Sequence, residues 1–100
     1  MKDVCFDADC RLCPRLAGFL DEVRADHPDY HARPVPSFGA SDPILLIVVL
    51  SPGMHGANAS GRPFTGDFAG ILLYKTLFEF GFSSDPESIS SSDGLKLHGC

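Results

Sequence analysis

From Arg11 onward apolar residues recur in a helical rhythm: Leu12, Leu16, Phe19, Leu20 and Val23 fall at steps of four, three, one and three. Arg11, Arg15, Asp21, Glu22 and Arg24 take the opposite face. This spacing predicts an amphipathic helix of about four turns with one buried stripe, and Pro14 suits it only in the first turn, where a missing N–H is tolerated. His27 to Pro43 holds four prolines and Gly39, which predicts an irregular crossing segment. The next seven residues, Ile44-Leu45-Leu46-Ile47-Val48-Val49-Leu50, are all apolar and do not alternate. A β-branched run of that kind predicts a central parallel strand covered on both faces. Ser51 to Gly66 is a 16-residue loop with four glycines and two prolines, a length that in compact domains usually carries function. Asp67 then offers an N-cap to a helix carrying Phe68, Ile71, Leu72, Leu73, Leu77 and Phe78, which Gly81 stops. Ser83 to Asp93, with six serines, predicts a surface connector, and Leu95 and Leu97 alternate with Lys96 and His98 as a strand would begin.

That inventory is one good strand, one incipient strand and two helices. A strand buried on both faces needs hydrogen-bonded neighbours and covering helices, so these elements cannot close a doubly wound sheet. The expectation is an α/β chain, residues 1–100 forming the front portion of a single parallel-sheet, three-layer α/β/α domain whose second half is absent. Such a portion is expected to be poorly stable alone.

Composition narrows this reading without changing it. One hundred residues with 44% apolar and 21% charged side chains fit one small globular domain and exclude a disordered tail. No apolar run nears the roughly 18 residues of a membrane span. The start Met1-Lys2-Asp3-Val4-Cys5 is too acidic and polar for a secretory signal, so a cytoplasmic setting without membrane contact is expected. There, closely spaced cysteines point to metal or redox chemistry in preference to disulfides. Cys10-x-x-Cys13 alone leaves open half a zinc site, a redox dithiol or two iron–sulfur ligands. The polar stretch Phe6-Asp7-Ala8-Asp9 before it weakens the thioredoxin-like option, and Cys5 reads as a spare thiol. The net charge of −5 argues against non-specific nucleic-acid binding. DNA contact therefore requires that the acidic residues around 21–29 and 85–93 lie on a far face, or that basic residues come from elsewhere.

The loop at the carboxyl end of the expected strand is where open α/β sheets bind ligands. It has neither the Gly-Lys-Ser/Thr of a P-loop nor G-x-G-x-x-G. Its Pro52, Gly53, His55, Asn58, Arg62, Phe64 and Asp67 suit a planar, hydrogen-bonding ligand such as a nucleobase. Leu50-Ser-Pro-Gly-Met-His-Gly-Ala-Asn-Ala-Ser-Gly-Arg-Pro-Phe-Thr-Gly-Asp67 resembles the first active-site motif of family 5 uracil-DNA glycosylases. Gly-Arg-Pro-Phe-Thr-Gly-Asp is its most specific part, and the Pro-Gly-x-His-Gly-x-Asn lead-in distinguishes it from family 4. Cys10-x-x-Cys13-x-Arg15-Leu16 is similar to the first pair of cluster ligands in these enzymes. Ser51 stands where the family usually has alanine, and the chain stops before the family's second cysteine pair and later His-containing motif. Cys100 lies ahead of the third ligand and is not counted as one.

The resemblance implies a monomeric base-excision enzyme that hydrolyses the N-glycosidic bond of uracil in DNA. Phe64 would stack on the extruded base, against the general tendency of a loop aromatic to pack on the core. Backbone groups of Gly53 and Met54 would meet its polar edge. Asp67 would stabilise the sugar cation or orient water, although by spacing alone it reads as an N-cap. His55 could donate to base or phosphate or be merely solvated, while Asn58 and Arg62 could contact DNA or brace the loop. Cys10 and Cys13 would hold half of a structural [4Fe-4S] cluster. The alternative is a non-catalytic iron–sulfur or zinc-binding interaction module on the same scaffold; a nucleotide-binding enzyme of unrelated chemistry is a further rival.

Overall fold

The computed structural model describes residues 6–100; Cys5 lies outside them. Helix α1 spans Pro14–Asp26, α2 is a single turn at Ala57–Ser60, and α3 spans Phe68–Glu79. Pro14 occupies the first turn of α1 as its missing N–H demands, and Arg24 sits in the last turn, where a cation favours the helix dipole. The expected stripe of α1 is only partly covered. Ala17 and Val23 are buried, whereas Leu12, Leu16 and Phe19 remain exposed. Periodicity identifies residues that share a face but does not supply something to pack against it.

Helix α3 begins where expected, with Asp67 as N-cap, and Gly81 lies just past its C-cap Phe80 at φ +82°. Its inner face carries Gly70, Tyr74 and Leu77. Tyr74 and Leu77 form the core with Leu95 and Cys100, against which Phe38, Phe64, Leu73, Phe82 and Leu97 pack. The alternation at the end of the chain is realised: Leu95 is buried and Leu97 half-buried, with Lys96 and His98 exposed. One antiparallel bridge pairs Leu97 with Ser83.

Among the described residues no strand longer than that bridge forms. Ile44 to Leu50 is exposed along its length, from 38% at Ile47 to 101% at Leu50. The N–H groups of Ile44 and Leu45 donate to the Gly99 carbonyl at 2.9 and 3.0 Å; among the described residues the backbone of 46–50 makes no hydrogen bond.

Residues 27–43 cross irregularly, as their prolines require, and are tied to the loop. His31 and Ala32 donate their N–H groups to the carbonyls of Ala59 and Asn58, both at 3.0 Å. Ala32 is fully buried at φ +44°, and its carbonyl accepts from Arg24 at 2.6 Å. This junction joins α1, the crossing segment and the glycine-rich loop.

Candidate active site in the glycine-rich loop

The loop is rigidified from within. The Gly53 carbonyl accepts the N–H groups of Gly56 and Asn58 at 3.1 and 3.0 Å, winding the chain into α2. Gly61 ends that turn in the left-handed region, where glycine has no steric penalty. Asn58 is buried, and its side-chain amide donates to the Met54 carbonyl at 3.3 Å. The Gly53 and Met54 carbonyls are therefore committed to the loop. The N–H groups of Gly53, Met54 and His55 donate no hydrogen bond among the described residues. The exposed rim of the turn thus offers donors.

Asp67 caps α3, as its spacing suggested, with one of its two carboxylate oxygens free of that cap. One carboxylate oxygen caps α3 by accepting the Gly70 N–H at 3.2 Å. The other faces the glycine turn: a Cβ built on Gly53 would lie 3.4 Å from it. A Cβ on Gly56 would overlap the carboxylate outright. Gly56 is thus required by the close approach of the Asp67 side chain to the backbone.

Phe64 is half-buried at φ +55°, an uncommon conformation for an aromatic residue that surrounding contacts must hold. Tyr74 supplies one such contact, its hydroxyl donating to the Pro63 carbonyl at 2.8 Å. A side chain on Gly70 would collide with the Phe64 carbonyl, so glycine is needed there too. Phe64 lines an apolar hollow of about 200 Å³ with Leu46, Val49, Tyr74 and Leu77. Asp67 lines a different, more open hollow of about 500 Å³ with Phe68, Ile71, Pro86 and Ser88. The two residues thus line different hollows, while both meet at Gly70, whose added Cβ would lie against the Phe64 carbonyl and 3.6 Å from Asp67 Oδ1.

Arg62, which the sequence left between phosphate contact and loop brace, is a brace. It is 5% exposed and grips both oxygens of Asp93 at 2.9 Å. It also donates to Ser88 at 2.6 Å and Thr65 at 3.1 Å, and its guanidinium lies 4.7 Å from the centre of the Phe38 ring. Arg62 and the backbone N–H groups of Leu95, Ile89 and Ser90 hold the Asp93 carboxyl well below the usual carboxylate range, against the opposing effect of burial. The serine-rich stretch expected to be a plain surface connector is thus a strap that clamps the loop. Sequence inspection did not find it, because Arg62 and Asp93 are 31 positions apart.

His55 is exposed and shares a 2.8 Å hydrogen bond through Nδ1 with the Tyr30 hydroxyl. The Tyr30 ring stacks on His27, with centroids 4.3 Å apart and planes 11° apart. Neither Tyr30 nor His27 carried a signal in the sequence.

At the other end of α1, Cys13 is the exposed N-cap and Cys10 is half-buried beside a hollow lined by Ala17, Leu20 and Arg24. Two thiols at the mouth of a helix N-terminus suit half of a thiolate ligand set, since that end favours negative charge. Among the described residues no group of three or more metal-ligating side chains comes together. Cys100 is buried in the core. Two of the acidic side chains set against DNA binding are paired: Asp21 with Arg11 and Arg24, and Asp93 with Arg62. No helix among the described residues is long and apolar enough to cross a membrane.

No protein-family model matches the chain. It is 50% identical over 95 residues to a type-5 uracil-DNA glycosylase of Thermus thermophilus, covering 90% of this chain and 43% of that protein. A type-5 uracil-DNA glycosylase of Mycobacterium tuberculosis is 46% identical over 96 residues, or 89% of this chain and 35% of that protein. That of Pyrobaculum aerophilum is 39% identical over 92 residues, or 88% of this chain and 41% of that protein. The resemblance borne by the loop and Cys-x-x-Cys motifs thus extends over nearly the whole chain, and the chain spans less than half the length of these relatives.

Proposed function

We propose that this chain carries the front portion of a uracil-DNA glycosylase that hydrolyses the N-glycosidic bond of uracil in DNA, within a parallel-sheet α/β/α domain. The observation that carries the reading is Asp67. Its carboxylate is held by the α3 cap with one oxygen turned to a glycine turn whose rim presents N–H donors. As the C1′–N1 bond breaks, its electron pair leaves with the base and positive charge grows on the sugar. A carboxylate stabilises that charge or takes a proton from the water whose oxygen bonds to C1′. N–H donors from Gly53 and Met54 stabilise the oxygens of the departing uracil. Phe64 stacks on the extruded ring; flipping costs a few kcal/mol and base–aromatic stacking returns about 1–3 kcal/mol. Asn58 acts through the loop it braces, and His55 lies on the rim.

Cys10 and Cys13 are the residues that would hold part of a [4Fe-4S] cluster. Such a group would supply a structural crosslink anchoring the start of α1. The protein is proposed to work as a soluble cytoplasmic monomer on uracil-containing DNA.

The test is strand cleavage at abasic sites after incubating the protein, expressed from its full reading frame, with uracil- and thymine-containing duplexes. Cleavage confined to uracil is expected, with Asp67→Asn at least about a hundredfold slower. An intact uracil strand would overturn the reading in favour of a binding module.

A further inference from the structure

The ring cluster on the loop's rim has a construction that ordinary solvation of His55 does not call for. His27 closes α1 by donating its N–H to the Val23 carbonyl at 2.8 Å, and Tyr30 donates its own to the His27 carbonyl at 3.0 Å. That turn lays the two rings face to face. His55 stands edge-on to both, with centroids 5.5 Å from His27 and 5.8 Å from Tyr30 and planes at 86° and 82°. The backbone bonds from His31 and Ala32 to α2 fix this turn against the loop. Two elements brought together across 25 residues therefore hold one exposed imidazole by a single nitrogen.

We propose that Tyr30, backed by His27, is a positioning residue. It fixes His55 through Nδ1, so that Nε2–H is presented outward as a donor to a phosphodiester oxygen of the bound DNA strand. This rests on the glycosylase reading of the loop. A phenol O–H is a better donor to an imidazole nitrogen than a phenol oxygen is an acceptor, so the neutral ring carries its proton on Nε2. If the ring takes up a second proton, Nδ1–H donates to the phenol oxygen and Nε2 keeps its hydrogen. Nε2 is a donor in both states, whereas an unanchored imidazole divides between two tautomers and several orientations. The exposed rim favours backbone phosphate over the enclosed base. Three of the arginines are committed elsewhere, Arg62 to Asp93 and Arg11 and Arg24 to Asp21. A chain of net charge −5 gains a phosphate contact here from an oriented N–H donor.

Three readouts on the protein from its full reading frame test this. Imidazole 15N shifts should report His55 as the Nε2–H tautomer in the parent and a mixture in Tyr30→Phe, which keeps the ring stacked on His27. Tyr30→Phe should raise KM for a uracil duplex about two- to tenfold, the worth of one neutral hydrogen bond, with the loss in KM and not in kcat. Combined with His55→Ala, it should add nothing to the single His55 change. Finally, one neutral methylphosphonate linkage near the uracil should weaken binding to the parent and not to His55→Ala. An unchanged tautomer in Tyr30→Phe, additive losses, a loss in kcat alone, or no sensitive linkage would overturn the proposal. Failure of the glycosylase reading shows separately, as a parent without excision; the nitrogen shifts and the duplex Kd still decide for or against Tyr30.

Discussion

Residues 44–50 and 51–67 are joined in sequence and find very different surroundings. In the first, all seven apolar residues are exposed, with Leu46 and Val49 edging the hollow beside Phe64, and among the described residues two backbone N–H groups are bonded, both to Gly99. In the second, Asn58, Arg62 and Thr65 are buried, and no buried side-chain nitrogen or oxygen among the described residues lacks a partner. The buried polar side chains of the loop meet their partners inside this chain. As the doubly covered strand that its sequence predicts, the apolar run would need neighbours on both edges and both faces, and burying each Val, Leu or Ile would contribute about 1.5–3 kcal/mol. A loop can thus be specified by contacts that a sheet strand cannot supply for itself.

The comparison breaks most visibly at Val48. If the run becomes a doubly covered strand in the full-length protein, Val48→Asp places an unpaired carboxylate there, at a cost of several kcal/mol, comparable with the stability of a whole domain. Expression from the full reading frame should then yield no folded, soluble protein by circular dichroism. A melting temperature matching the parent would show that the run stays at the surface.

Next in size is Gly56→Ala, which probes the loop. The added methyl would overlap the Asp67 carboxylate, which must then shift. A displacement of about 1 Å at a reacting group can cost about a hundredfold in rate, so excision should fall by that order. Parent-like kinetics with an intact fold would remove the carboxylate's position from the mechanism.

What the sequence made legible divides along the same line. Pro14 at the start of α1, Asp67 as the cap of α3 and Gly81 after its end all act within one turn, so local chemistry sufficed. The Leu95–Leu97 alternation was equally local. The loop motif identified Asp67 and Phe64 but not that they line separate hollows. Pairings across distance left no periodic trace: Arg62 with Asp93, Tyr30 with His55, and Ala32 with Asn58. The serines at 83–93 looked like solvent-facing filler, although Ser88 bonds both Arg62 and Thr65. The uncovered Leu12, Leu16 and Phe19 show the converse limit, since an apolar stripe states what can be buried and not what buries it.

The smallest effect sharpens the account of the strap. Asp93→Asn removes the charge that Arg62 grips while keeping the size of the side chain. Leaving Arg62 buried without its counter-ion should cost about 2 kcal/mol, less than for a fully buried pair because the Asp93 side chain keeps 16% exposure. The pH dependence follows from the direction of the Asp93 shift. Its carboxyl is lowered in the folded chain, chiefly by Arg62, so it binds protons less readily folded than unfolded. Its stabilising contribution is complete above the ordinary carboxylate range, near about pH 4, and fades as the pH falls below that range. The melting-temperature gap between parent and Asp93→Asn should therefore be constant from neutral to mildly acidic solution and close only in stronger acid. A gap already closing near neutrality would mean that another group governs it, and a gap absent throughout would mean that the strap does not hold the loop.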